Sequence, residues 1–130
     1  MTHYSDLTEY SYSDFGRPAL NVGWLSPVHE FPVGDASEEL VDALVRLAAE
    51  KVNVYRGIHF CELCPTFTEA QSHTYVNGVF VGSGEIRVKG EGQMLYASPA
   101  MIAHYVKHHH YAPPAEFCKS AIEAVDRDGL

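Results

Sequence analysis

Gly84-Glu85-Ile86-Arg87-Val88-Lys89-Gly90-Glu91-Gly92-Gln93-Met94-Leu95-Tyr96-Ala97 decides the fold. Ile86 and Val88 fall two residues apart and share one face of a strand, with Glu85, Arg87 and Lys89 on the other. Gly90 to Gln93 is a turn, and Met94 to Ala97 is β-rich again, so the stretch reads as a hairpin. Ser98-Pro99 follows at once, an acceptor and then a proline suited to the first helical position. Met101, Ile102, Tyr105 and Val106 continue at helical spacing, which predicts a helix capped by Ser98 and running to about His109.

Upstream, Gly34-Asp35-Ala36-Ser37-Glu38 offers an acceptor at Asp35 with Glu38 three residues on, the spacing of a helix start. Leu40, Leu44, Leu47 and Ala48 then form one buried stripe to about residue 50, with Glu39, Asp42, Arg46 and Glu50 facing away. Val52 to Phe60 is β-rich and alternating, and predicts a strand that delivers His59 and Cys61 near its end. Downstream, Pro113-Pro114 opens a last helix whose inner face is Phe117, Ala121, Ile122 and Val125. Residues 1 to 34 are rich in turn formers, around an apolar island from Arg17 to Leu25 that places Trp24 in the core. The expected fold is α+β: a small antiparallel sheet of three to four strands packed by about three helices, in a single domain over 1-130.

Composition narrows the function classes. A chain of 130 residues with 46% hydrophobic residues buries about two-thirds of its unfolded surface, enough for one core. Seventeen acidic against nine basic residues give a formal charge of -8. That charge repels nucleic acid and the anionic membrane surface; its first reading is colloidal solubility, and an acidic face that engages a basic protein is the alternative, so the partner stays open. The first residues lack the basic and apolar regions of a signal peptide and no apolar run spans a membrane, so a cytoplasmic address follows by default.

One constellation carries chemistry. His59-Phe60-Cys61-Glu62-Leu63-Cys64-Pro65 holds three soft ligands in six residues. In an extended segment His59 and Cys61 point to the same side, and a two-residue gap lets Cys64 curl back, good geometry for Zn2+. The missing ligand is sought first at His104 and His108, which lie one turn apart and share a helix face, and then at His73, His29 and Cys118. His109 and His110 read as a solvated helix end. The expected metal ligands are therefore His59, Cys61, Cys64 and His104. As a redox pair the C-x-x-C is disfavoured, because Pro65-Thr66-Phe67-Thr68 does not look like an opening helix whose dipole would acidify a thiol.

The strings Asn21 to Leu25, Arg56 to Cys64, Gly84 to Val88, Tyr96 to Val106 and Tyr111 to Pro114 resemble a family of uncharacterised small bacterial proteins. Its R-G-x-H-x-C-x-x-C and H-Y-V…Y-x-P-P elements are distinctive together. The resemblance implies a bacterial source and a shared fold, and carries no activity.

Three functions fit these readings. The first is a binding or interaction module with a structural zinc. The second is a metal-dependent hydrolase or transferase, with Glu62 or Glu85 as general base on a bound water. The third is an immunity-type antidote, an acidic protein masking a basic partner.

Overall fold

The computed structural model describes residues 3–10, 19–54, 56–92 and 94–130. Arg17-Pro18 of the apolar island, Tyr55 of the expected strand and Gln93 of the hairpin turn lie outside them. The hairpin forms as its alternation requires: β4 (Glu85–Lys89) pairs antiparallel with β5 (Leu95–Pro99), with Ile86 opposite Ser98 and Val88 opposite Tyr96. Ile86 and Val88 are buried and Glu85 and Arg87 are half-buried, so the register is the expected one. The other edge of β5 pairs with β1 (Ala19–Asn21), and this pair is parallel, so the three-stranded sheet, in the order β1-β5-β4, is mixed. Parallel pairing is available because residues 22–94 form a long crossover between the two strands.

Four helices are present among the described residues: α1 (Glu38–Ala49), α2 (Phe67–Ser72), α3 (Ile102–His109) and α4 (Ala115–Asp128). The α+β class holds. In α1 the stripe of Leu40, Leu44, Leu47 and Ala48 is buried as its spacing dictates, and it packs on α3 and α4. Its cap, however, is Ser37 and not Asp35: Ser37 Oγ accepts from Leu40 N at 3.1 Å, and the extended backbone of Ser37 suits a cap. Phe117, Ala121 and Ala124 of α4 lie in the core, with Ile122 and Val125 packed against it.

Three expectations give way to tertiary context. Ser98 caps no helix. It sits in the β5 ladder with its hydroxyl buried and unpartnered, and Pro99 is the last ladder residue, opposite Glu85. The chain needs Ala100 and Met101 to turn out of the sheet, so α3 starts at Ile102 with no side-chain cap. Among the described residues, Val52 to Phe60 holds no strand either. Asn53 and Gly57 both take positive φ (51° and 84°), which breaks the extended run, and its described backbone is tied to its neighbours by a bridge from Val52 to Glu85 and a hydrogen bond from His59 N to Gly82 O. Lastly, Thr66 opens α2 after all. Its Oγ1 accepts from Glu69 N at 3.1 Å, a Thr-x-x-Glu start.

Between α2 and β4 lies a second, two-stranded sheet of β2 (Tyr75–Val76) and β3 (Val79–Phe80), turned by Asn77-Gly78, both at positive φ. Trp24 packs between Tyr4 and Tyr10 in a small cluster under β1, and its Nε1 donates to Ala97 O at 3.0 Å. Phe117 is fully buried and meets Tyr96 edge-on. Truncating Phe117 to Ala should cost about 3 to 5 kcal/mol, from lost transfer energy and a residual cavity. Denaturant unfolding measures this, and a loss below about 1 kcal/mol would place Phe117 at the periphery.

Candidate metal centre

Two chain segments meet at one point. The first is the knuckle from Cys61 to Pro65, anchored upstream by the hydrogen bond from His59 N to Gly82 O and downstream by the Thr66 cap of α2. Cys61 belongs to the hydrophobic core and Cys64 is half-buried above it. The second is the end of α3. His104 is completely buried on the helix, and His109 is its last residue. At His110 the backbone turns left-handed (φ 57°), and Tyr111 N returns to Tyr105 O. Gly34 N donates to His110 O and Ala112 N to Pro32 O, while the buried Tyr111 hydroxyl donates to Asp6 Oδ2 at 2.7 Å. These bonds fix the point at which α3 ends, and so fix His109.

The ligand atoms of Cys61, Cys64, His104 and His109 all lie within 4.8 Å of one another, close enough to hold a metal ion. Cys64 Sγ is 3.4 Å from His104 Nε2 and 3.6 Å from His109 Nε2. Cys61 Sγ is 3.5 Å from His109 Nε2, and the two Nε2 atoms are 3.1 Å apart. Around a tetrahedral Zn2+ with bonds of about 2.3 Å to sulfur and 2.0–2.1 Å to nitrogen, sulfur–nitrogen edges are ~3.6 Å and nitrogen–nitrogen edges ~3.3 Å. These four of the six edges match that figure to within a few tenths of an ångström, and all six are within 4.8 Å. Two thiols and two imidazoles are also the donor set that borderline-soft Zn2+ takes.

Burial sets the charge state of the donors. His104 is pushed down to about 3, first by burial and then by the neighbouring His109, His73 and His108, so its ring is neutral with a lone pair to offer. His108 and His109 are also lowered, chiefly by burial. Burial pushes the Cys61 thiol up to about 12, against the backbone N–H groups of Leu63 and Cys64, and it raises Cys64 as well. A bare Cys61 is thus a protonated, sluggish thiol, so burial disfavours a redox role, whereas the expected lack of a helix after Cys64 does not hold, since Thr66 caps α2. A divalent cation reverses the preference, since thiolates form against its charge. His104 Nδ1 is buried without a partner, so the ring is oriented by the Nε2 contacts to Cys64 and His109 and by packing against Tyr105, His73 and His108.

Of the residues named from sequence, Cys61, Cys64 and His104 come together. His59 is not among the four: its backbone serves the Gly82 bond, and burial lowers its ring below the ordinary histidine range. His109 is the fourth member, although it lies five positions after His104 and its sequence reads as a solvated helix end. The four-residue rule favours His108, but His108 lies outside, exposed and stacked on His73 at 4.3 Å. The signal for His109 is its position as the last helical residue, where the chain is already turning back.

The chain belongs to the family described as Domain of unknown function (DUF7919), whose model matches residues 2–122. No curated protein and no solved structure matches it.

Acid should destabilise the metal-free protein through His104. Its folded value lies near 3 and its ordinary value is 6.5, so between those limits the unfolded chain binds the extra proton. The His104 contribution is therefore present above about 6.5 and is lost as the pH falls towards 3. Melting of the chelated protein across that window should show a steeper fall for the wild type than for H104L. Parallel curves would contradict a buried, neutral His104.

Proposed function

We propose that the chain is a binding module in which one Zn2+, held by Cys61, Cys64, His104 and His109, pins the knuckle to the end of α3. The observation that carries this reading is the closed donor set: four protein ligands mark a structural site, whereas a catalytic zinc keeps three and leaves a position for water. The hydrolase reading also loses one of its bases, because Glu85 is engaged in the sheet by Arg87 at 2.8 Å and by the Tyr10 hydroxyl at 2.8 Å.

The face beside the knuckle supports binding. Ile58, Phe67 and Tyr75 are 52%, 63% and 58% exposed, high for apolar side chains. Tyr75 meets Phe80 at 5.2 Å, Ile58 and Phe80 both lie over Gly82, and Phe67 meets Phe60, two residues after Ile58, at 4.9 Å. Glu62 and Glu69 stand close to it, one near His59 and the other near Cys64. With a formal charge of -8 on the chain, the partner that fits is a protein with an apolar centre and a basic rim, of which a toxin masked by an antidote is one form. A second copy of this chain would meet the same negative charge. Part of the same reading is a bacterial, reducing cytoplasm, which keeps Cys61 and Cys64 available to the metal.

Protein purified without an affinity tag should carry about one equivalent of zinc, since the four donors make one site. C61S should lose the metal and melt several degrees lower, as a loss of about 1 to 2 kcal/mol does in a domain of this size. Metal-free protein whose melting is indifferent to chelators would contradict the reading. On the binding side, F67E/Y75E should keep zinc and melting temperature while losing retention of a basic partner; equal retention would move the interface elsewhere.

A further inference from the structure

His73 stands outside the four-donor set but against it. It closes α2, is half-buried, and holds its Nδ1 3.5 Å from Cys64 Sγ. Its ring is fixed from two sides, by His104 at 4.7 Å between centroids and by His108, stacked at 4.3 Å and 25°. The two cysteines are served differently. Cys61, deep in the core, receives the backbone N–H groups of Leu63 and Cys64. Beside the Cys61 thiol, Cys64 Sγ meets three ring nitrogens: those of His104 and His109, which belong to the donor set, and that of His73, which does not. Cys64 is also the more exposed thiol and has the Glu69 carboxylate near it, an unfavourable neighbour for a thiolate. A metal-bound sulfur keeps lone pairs that accept N–H donors, and such outer contacts set ligand basicity and orientation.

We propose that His73 is a positioning residue for the metal centre, donating its Nδ1–H to the Cys64 sulfur in place of the backbone donors that serve Cys61. The inference rests on the metal reading and adds a fifth side chain to it. With four donors already placed, His73 is left to hold the sulfur, and its donor tautomer is the one in which Nδ1 carries the proton. The bond spreads negative charge off the thiolate nearest to solvent and to Glu69, and it ties the end of α2 to the site.

Full-length wild type, H73F and H73N, each checked for folding by circular dichroism, test this with Zn2+ and Co2+ as probes. Phe keeps the ring and removes the donor; Asn places an amide N–H near the position of Nδ1. H73F should bind zinc about 10- to 100-fold more weakly in chelator competition, and H73N should regain most of that loss. In the cobalt form the sulfur-to-metal charge-transfer band should shift in H73F and return in H73N, while the visible bands keep their tetrahedral intensity in all three. Equal affinity in wild type and H73F would overturn the proposal, as would equal weakening of H73F and H73N, which would mark a packing role. Loss of the tetrahedral bands in H73F would overturn it too, by making His73 a ligand. A wild type that takes up neither ion would remove the metal reading itself, and this inference with it.

Discussion

Bringing two cysteines and two histidines to one partly buried point is the constraint on which the rest depends, because each donor resists burial in its charged form. The structure answers half of that cost itself. Cys61 and His104 sit in the core as a thiol and a neutral imidazole, driven there by desolvation. Left so, the site is a set of weak S–H and N–H contacts that contribute little. A divalent cation held there would have two thiolates and two imidazole lone pairs as donors, and its binding would add to folding because the unfolded chain does not hold them together.

The fold is arranged to hold the two halves of that point. On one side the hydrogen bond between His59 and Gly82 and the Thr66 cap leave the knuckle little freedom. On the other, α3 is fixed along its length by burial of Ile102, Ala103, Tyr105 and Val106 and at its end by the reversal at His110. Ile102 packs directly over Gly23, where a Cβ would fall 2.7 Å from its side chain, so α3 and the chain just after β1 meet at van der Waals distance. Lys107 reaches the turn of the small hairpin, donating to Asn77 Oδ1 at 2.7 Å. Helix, hairpin and knuckle thus share a border, and the exposed apolar side chains lie along it.

The legible parts of the sequence were those set by a single period. Ile86 and Val88 alternate and are buried, and Leu40, Leu44 and Leu47 recur at helical steps and are buried. Pairing between distant segments was not legible: the parallel partner of β5 is β1, which no local pattern announces. Ser98-Pro99 misled because a cap signal and a ladder position look alike until the ladder is known. The run from Val52 to Phe60 misled because one positive φ at Asn53 and another at Gly57 cancel an alternation that the side chains favour. At the site, Cys61, Cys64 and His104 followed from ligand type and spacing. His109 did not, since the four-residue rule describes the middle of a helix, and His109 is placed by the chain reversal beyond its end.

The central claim is that these four side chains share one ion and leave no open position on it. X-ray absorption at the zinc edge of untagged, metal-loaded protein tests it most directly, because it counts ligands by element and distance. A site closed by these four side chains gives two sulfurs at about 2.3 Å and two imidazole nitrogens at about 2.0–2.1 Å, four ligands in all. A shell with three protein ligands and an oxygen would contradict it and return the site to catalysis, and a preparation without zinc would deny the site altogether.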